Sequence, residues 1–276
     1  MTVVPVDPTA PWWAREFADV VRRPEETVPL DEAAVLLAAH ASTRLRNQDD
    51  VQLELARLDT IAAGCRNGSL EDLRRVLFVD LALSGNAIDY HDPRNSFLPD
   101  VLDRHIGIPI SLAVVALAVA RRANVRLEGV GMPGHFLLVH QPSRPSEPVF
   151  LDPFHGGAEL DAAGCRALFE SLHGDTPFDA RFLLPTTTFV ILIRMLANLK
   201  SIYARARDID ALTSVTQMRL CLPGSSTDEC RELIRLLGAT WRWTEADNAL
   251  DALQRLQPDD AATWANERRR LRAQMS

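Results

Sequence analysis

Apolar side chains recur at the spacing of one helix face over residues 31–42, 51–65 and 70–83, so the first third of the chain is predicted to be helical. Asp31 stands where a cap would open the first of these helices, Gly64 and Gly68 stop the second, and Ser69 with Asp72 forms an acidic version of the capping box for the third. The pattern breaks over 84–105, where Gly, Asn, Asp and Pro crowd the front half, as expected for an ordered loop ahead of a short helix near Leu98 to His105. From Ile110 to Ala120 every side chain except Ser111 is apolar, which predicts a helix buried on all sides rather than an amphipathic surface helix. Gly107 is expected to close the helix before it, and Pro109 suits its first turn.

After Asn124 the period changes to two. Residues 125–131 and 135–140 alternate or run apolar, a Pro/Ser segment over 141–148 separates them from 149–152, and Gly156 with Gly157 marks a turn. Strands that follow a run of helices predict an antiparallel α+β domain. Helices are expected again over 161–174, with a Gly stop, and over 186–206, from a Thr cap. From Asp208 the pattern stays helical over 208–224, 226–240, 244–260 and 261–274. Pro223 and Pro258, each shortly after a Leu, are 35 residues apart, close to the tetratricopeptide period of about 34. Since fewer than about three repeats seldom stand alone, helical hairpins docked on the main domain are expected. At the other end, Pro5, Pro8, Pro11, Pro24 and Pro29 predict a surface-hugging arm with Trp12, Trp13 and Phe17 as anchors. The organisation expected is an arm over 1–30, an α+β domain over 31–185 and a helical region over 186–276.

A length of 276 residues, 47% of them hydrophobic and 24% charged, provides for a sizeable core. A net charge of -7 argues against a general binder of phosphate backbones, and the arginines within 266–272 fit a C-terminal helix complementing its own dipole, so no nucleic-acid partner is expected. The apolar run 108–120 is shorter than the roughly 20 residues of a membrane span and is closed by Arg121 and Arg122. The first residues carry acids and prolines where a signal peptide has a basic and then an apolar segment. A cytoplasmic protein without a membrane partner is expected. Cys65, Cys165, Cys221 and Cys230 form no Cys-x-x-Cys pair, which predicts buried free thiols in a reducing compartment.

Candidate chemistry centres on His135, at the start of one predicted strand, and Asp152, at the end of another. Neighbouring antiparallel strands would let Asp152 orient one ring nitrogen and leave the other free as a base. Such a base serves a nucleophile, and a thiol at a helix N-terminus near position 109 would have the lowered pKa that chemistry needs. The chain has Pro109 there. Ser111 is an alternative hydroxyl, but it lies about 200° further round the helix and needs stronger activation; a hydrogen bond in the first turn is its expected role.

Residues 86–122, 129–140, 150–157 and 194–203 resemble the bacterial SirB-type transglutaminase-like family, which joins a papain-type core to C-terminal tetratricopeptide-like helices. The resemblance implies that His135 and Asp152 match the family's His and Asp, and that Gly107-Ile108-Pro109 stands where active transglutaminases carry Gly-x-Cys. It also implies an α+β fold, a papain/transglutaminase-like core with a buried central helix and a small antiparallel sheet, followed by an all-α tail. The proline departs from the cysteine-dependent acyl-transfer pattern.

In the loop before the apolar helix, Asn86, Tyr90, Arg94 and Asn95, together with Pro109, are candidate ligand-binding residues. His91, Asp92, His135, Asp152 and His155 are metal-type donors, but no H-E-x-x-H or comparable spacing is present, so no metal and no cofactor are expected. Arg194 and Asn198, four residues apart in the helix expected over 186–206, share one face of an element whose expected role is linkage. The function expected is a non-catalytic, transglutaminase-like scaffold binding a protein or peptide through its helical tail. The alternative is a hydrolase or acyltransferase of amide or thioester bonds, using His135 and Asp152 with Ser111 or a metal.

Overall fold

The computed structural model describes residues 10–141, 147–256, 259 and 261–274. Helix α1 (Trp12–Val21) starts after Pro11 and turns Trp13, Ala14, Phe17, Ala18, Val20 and Val21 inward. The prolines predict a surface-hugging arm here with Trp12, Trp13 and Phe17 as anchors; Trp13 and Phe17 are buried, but on a helix. The helical period prevails because Pro11 sits at the helix start and Pro24 lies beyond its end, where neither breaks a hydrogen bond; Pro5 and Pro8 lie outside the described residues. Helix α2 (Leu30–Ala38) begins at Pro29, so Asp31 falls inside the first turn instead of capping it. Its buried carboxylate accepts from Arg121 Nη2 at 2.7 Å and Arg122 Nη1 at 2.5 Å, fastening α2 to the far end of the central helix.

Asn47 caps α3 (Gln48–Ala62) and Ser69 caps α4 (Leu70–Arg74) by accepting from the backbone N–H three residues on. The helix after α4 widens into a π turn over Arg75–Asp80. Strand β1 (Ser84–Gly85) then pairs in parallel with β2 (Ile106–Gly107). Between them come a 3-10 turn over Pro93–Ser96 and α5 (Leu98–Arg104), which ends at His105 in the left-handed region, φ 57°, and not at Gly107. The central helix α6 (Pro109–Arg122) has Pro109 in its first turn, and Leu112, Ala113, Val114 and Val115 are fully buried.

Four antiparallel strands follow in simple order: β3 (Glu128–Val130), β4 (Leu137–His140), β5 (Val149–Asp152) and β6 (Ala158–Leu160). The period of two decides which core each side chain joins. Leu138 and Leu151, directly paired, enter the core of α6, whereas Leu137, Val139 and Phe150 pack with Cys165 and Phe169 of α7 (Ala162–His173) on the other face. Strand β6 leaves no periodic signal, because only Leu160 of its three residues is even partly buried.

Helix α8 (Thr188–Ala206) follows Thr187, but that hydroxyl makes no cap; Phe189 N–H donates instead to Glu25 Oε1 at 2.8 Å. Buried residues of α8 and α9 (Ile209–Leu220), including Leu192, Met195, Val215 and Met218, join the same core as α6. Helices α10 (Thr227–Ala239), α11 (Trp243–Leu256) and α12 (Ala261–Gln274) each pack on the helix before, around a separate cluster that includes Leu233, Leu250 and Trp264. Among the described residues no helix is long and apolar enough to cross a membrane.

The burial of α1 has a direct test. Phe17→Ala is expected to lower the unfolding free energy, measured by urea denaturation, by about 3–5 kcal/mol, the cost of truncating a core aromatic. A loss below about 0.5 kcal/mol is what a loosely attached arm would give.

Candidate functional site

Three local structures meet at the site: the turn before β4, the turn after β5 and the loop that enters α6. In the first, His135 N–H donates to Met132 O at 3.1 Å, which puts His135 in the turn and two residues ahead of β4. Gly134 has φ +73°, and a side chain there would collide with His173, whose Nε2 hydrogen-bonds Pro133 O at 3.0 Å. From α8, Arg194 Nη2 donates to Met132 O at 3.2 Å and His135 O at 2.9 Å, with the guanidinium 5.2 Å from the centre of the Phe136 ring. Burial lowers the pKa of this arginine, opposed by nearby Tyr90, and it has no carboxylate partner among the described residues. Arg194 therefore clamps the turn that carries His135.

The second structure is built on the Asp152 carboxylate at the end of β5, only 2% exposed. Its Oδ1 accepts from His135 Nε2 at 2.9 Å, Phe154 N at 3.0 Å and His155 N at 3.3 Å, while Oδ2 accepts from His155 Nδ1 at 2.7 Å. Burial alone would raise the Asp152 pKa. Hydrogen bonds and charge from His135, then His155, outweigh that and hold it below the usual carboxylate value. Asp152 thus joins two imidazoles with rings 6.0 Å apart and inclined by 29°, one 7% exposed and the other largely open to solvent. The Phe154 ring lies edge-on to His135 and against Gly85, where any side chain would overlap it, and Gly85 N–H donates to Phe154 O at 2.8 Å.

The third structure is tied to itself and to α6. Asn86 Nδ2 donates to Asn95 Oδ1 at 3.1 Å, and Asn95 Nδ2 donates to Asp89 O at 2.7 Å. Both asparagines are buried, so their amides hold the loop. Ser111 Oγ donates to Asn95 O at 2.5 Å and accepts from Ile108 N at 3.1 Å. That hydroxyl closes the first turn of α6, as its place in the sequence indicated, and its hydrogen bonds do not go to His135. Pro109 is buried beside it. Tyr90 and Arg94 face outward: the Tyr90 ring packs on Phe154 and His91, and Arg94 makes a bidentate pair with Asp92, donating from Nε to Oδ1 at 3.1 Å and from Nη2 to Oδ2 at 2.8 Å. His91 stands apart from the other histidines, its Nε2 3.1 Å from Arg205 Nη1.

All four thiols are free and buried. Cys165 is the one that feels the charge of Asp152, yet burial, then Asp161 and Asp152, push its pKa up to about 12. Burial likewise raises Cys221 to about 12, Cys230 to about 11, and Cys65. Sequence reasoning reached His135 and Asp152 but missed the parts played by His155, Phe154 and Arg194. For Arg194 the available signal was an arginine set within the apolar face of α8.

Residues 32–197 match the family described as the transglutaminase-like superfamily. A UPF0162 protein of Xylella fastidiosa (strain 9a5c) is 39% identical over 195 residues, covering 67% of this chain and 69% of that protein. A UPF0162 protein of Pseudomonas aeruginosa is 38% identical over 115 residues, 41% of each chain. F-box only protein 21 of Mus musculus is 34% identical over 105 residues, 36% of this chain and 17% of that protein. No solved structure matches.

The raised thiol pKa values predict chemical inertness. A thiol with a pKa near 12 carries roughly a thousandfold less thiolate than a free cysteine at the same pH. Ellman's reagent near pH 8 is expected to label none of the thiols rapidly in the folded chain, and all four after unfolding in guanidinium. One thiol labelling rapidly in the native protein would contradict this.

Proposed function

The chain belongs to the transglutaminase-like superfamily, and within that family we propose that it is a non-catalytic binding or scaffolding protein whose cleft has lost its nucleophile. One observation carries the reading: His135 and Asp152 keep a base-and-orienter arrangement, while nothing at the start of α6 is activated by it. Acyl transfer needs a thiolate or a deprotonated hydroxyl within reach of the base. Pro109 offers neither, Ser111 Oγ is spent on Asn95 O, and Cys165 is buried and held protonated.

The finer assignment, to the SirB-type branch with a tetratricopeptide-like tail, is part of this proposal. It is supported by the helix-on-helix stacking of α9 to α12 and by the motifs around Pro109, His135 and Asp152. A protein or peptide partner fits a stacked-helix tail, because such stacks present grooves between neighbouring helices. One cavity of about 280 Å³ between α10 and α12 is lined by Arg231, Arg235 and Arg270 with Thr263, Asn266 and Glu267. Its arginines favour a partner with acidic side chains. Four unpaired cysteines are consistent with a reducing, cytoplasmic setting, which belongs to the same proposal.

The test is a turnover screen in the presence of EDTA, with amide, thioester and glutamine-bearing peptide substrates, on the wild-type chain and His135→Ala. No product above the blank is expected from either protein. Product formation that disappears in His135→Ala would overturn the non-catalytic reading.

A further inference from the structure

We propose that His135, Asp152 and His155 form a binding site for one divalent transition-metal ion of the zinc type. Two imidazole nitrogens and a carboxylate oxygen are the donor set that borderline ions take, and three protein ligands leave a fourth position for water or a ligand. The donor atoms of the three residues all lie within 4.8 Å of one another. Around an ion with bonds of about 2.0–2.2 Å, tetrahedral ligands stand roughly 3.3–3.5 Å apart. The present separations of 2.9 Å and 2.7 Å from Asp152 to the two rings are those of proton bridges, so admitting an ion requires the cluster to open by about half an ångström.

The surrounding structure allows that movement where it is needed and resists it elsewhere. His155 lies on the turn between β5 and β6 with its side chain 59% exposed, free to swing outward. Asp152 is held by the backbone N–H groups of Phe154 and His155, and the His135 turn by Arg194 and His173, the kind of outer contacts that orient metal ligands. Protons balance without an added reactant. On metal binding each ring keeps one hydrogen, on Nδ1 of His135 and Nε2 of His155, any second hydrogen passes to solvent, and the nitrogen facing Asp152 donates its lone pair to the ion. The single carboxylate suits a borderline ion and is too small an oxygen set for magnesium or calcium, which take six or more oxygen ligands.

Metal binding requires no turnover, so it stands or falls independently of the non-catalytic reading. The full-length chain, stripped with EDTA and dialysed, is titrated calorimetrically with zinc chloride, and separately with cobalt(II) while visible absorption is recorded. The expected result is one ion per chain, visible bands of four-coordinate cobalt, and no binding of magnesium. His155→Ala, at an exposed position that the fold tolerates, is expected to weaken zinc by at least about 100-fold, since loss of even an outer contact costs 10–100-fold. His91→Ala, which removes a histidine outside the cluster, is expected to leave affinity unchanged. Absence of stoichiometric zinc binding, or binding retained in His155→Ala, would overturn the proposal.

Discussion

A single buried carboxylate organises the site. Asp152 ends β5 with almost no exposure, a placement that would cost several kcal/mol for an unpaired charge. It is tolerated because four N–H groups converge on its two oxygens: two imidazoles and two backbone amides. Those contacts fix the turn after β5, which seats Phe154 on Gly85 and thereby joins the sheet to the paired strands β1 and β2. They also fix the His135 ring, whose own turn is gripped from behind by Arg194 of α8. Removing the carboxylate would loosen all these connections together.

A second network ties the transglutaminase-like frame together at the start of α6. The loop over 84–98 and the start of α6 are bonded to each other through Asn86, Asn95 and Ser111. Ser111 Oγ, Ile108 N and Asn95 O are satisfied within this network, and Pro109 completes the helix start. The uses proposed for His135 and Asp152 are two: recognising a ligand, or, with His155, holding an ion. Tyr90 and His155 face outward to solvent.

Much of this was legible in the chain. Ser69 as a cap, the all-apolar run of α6 and the short apolar run of β4, buried on both faces, are local signals. His135 and Asp152 stood out because a two-residue period placed them on neighbouring strands. Distant partners were not legible. Asp31 looked like a cap but serves Arg121 and Arg122 some ninety residues on, and α8 takes its cap from Glu25. Proline counting obscured α1, since prolines outside a helix leave its period intact. His155 was one of five scattered metal-type donors, and nothing local shows that Asp152 has a second oxygen free to receive it.

Asp152 holds two imidazoles at once, each in a defined tautomer. Nitrogen-correlated NMR of the histidine rings in metal-free protein near neutral pH reads those tautomers. A hydrogen is expected on Nε2 of His135 and on Nδ1 of His155, the latter the less common form, with both resonances shifting in Asp152→Asn while those of His140 do not. A His155 ring carrying its hydrogen on Nε2 and indifferent to Asp152→Asn would contradict it.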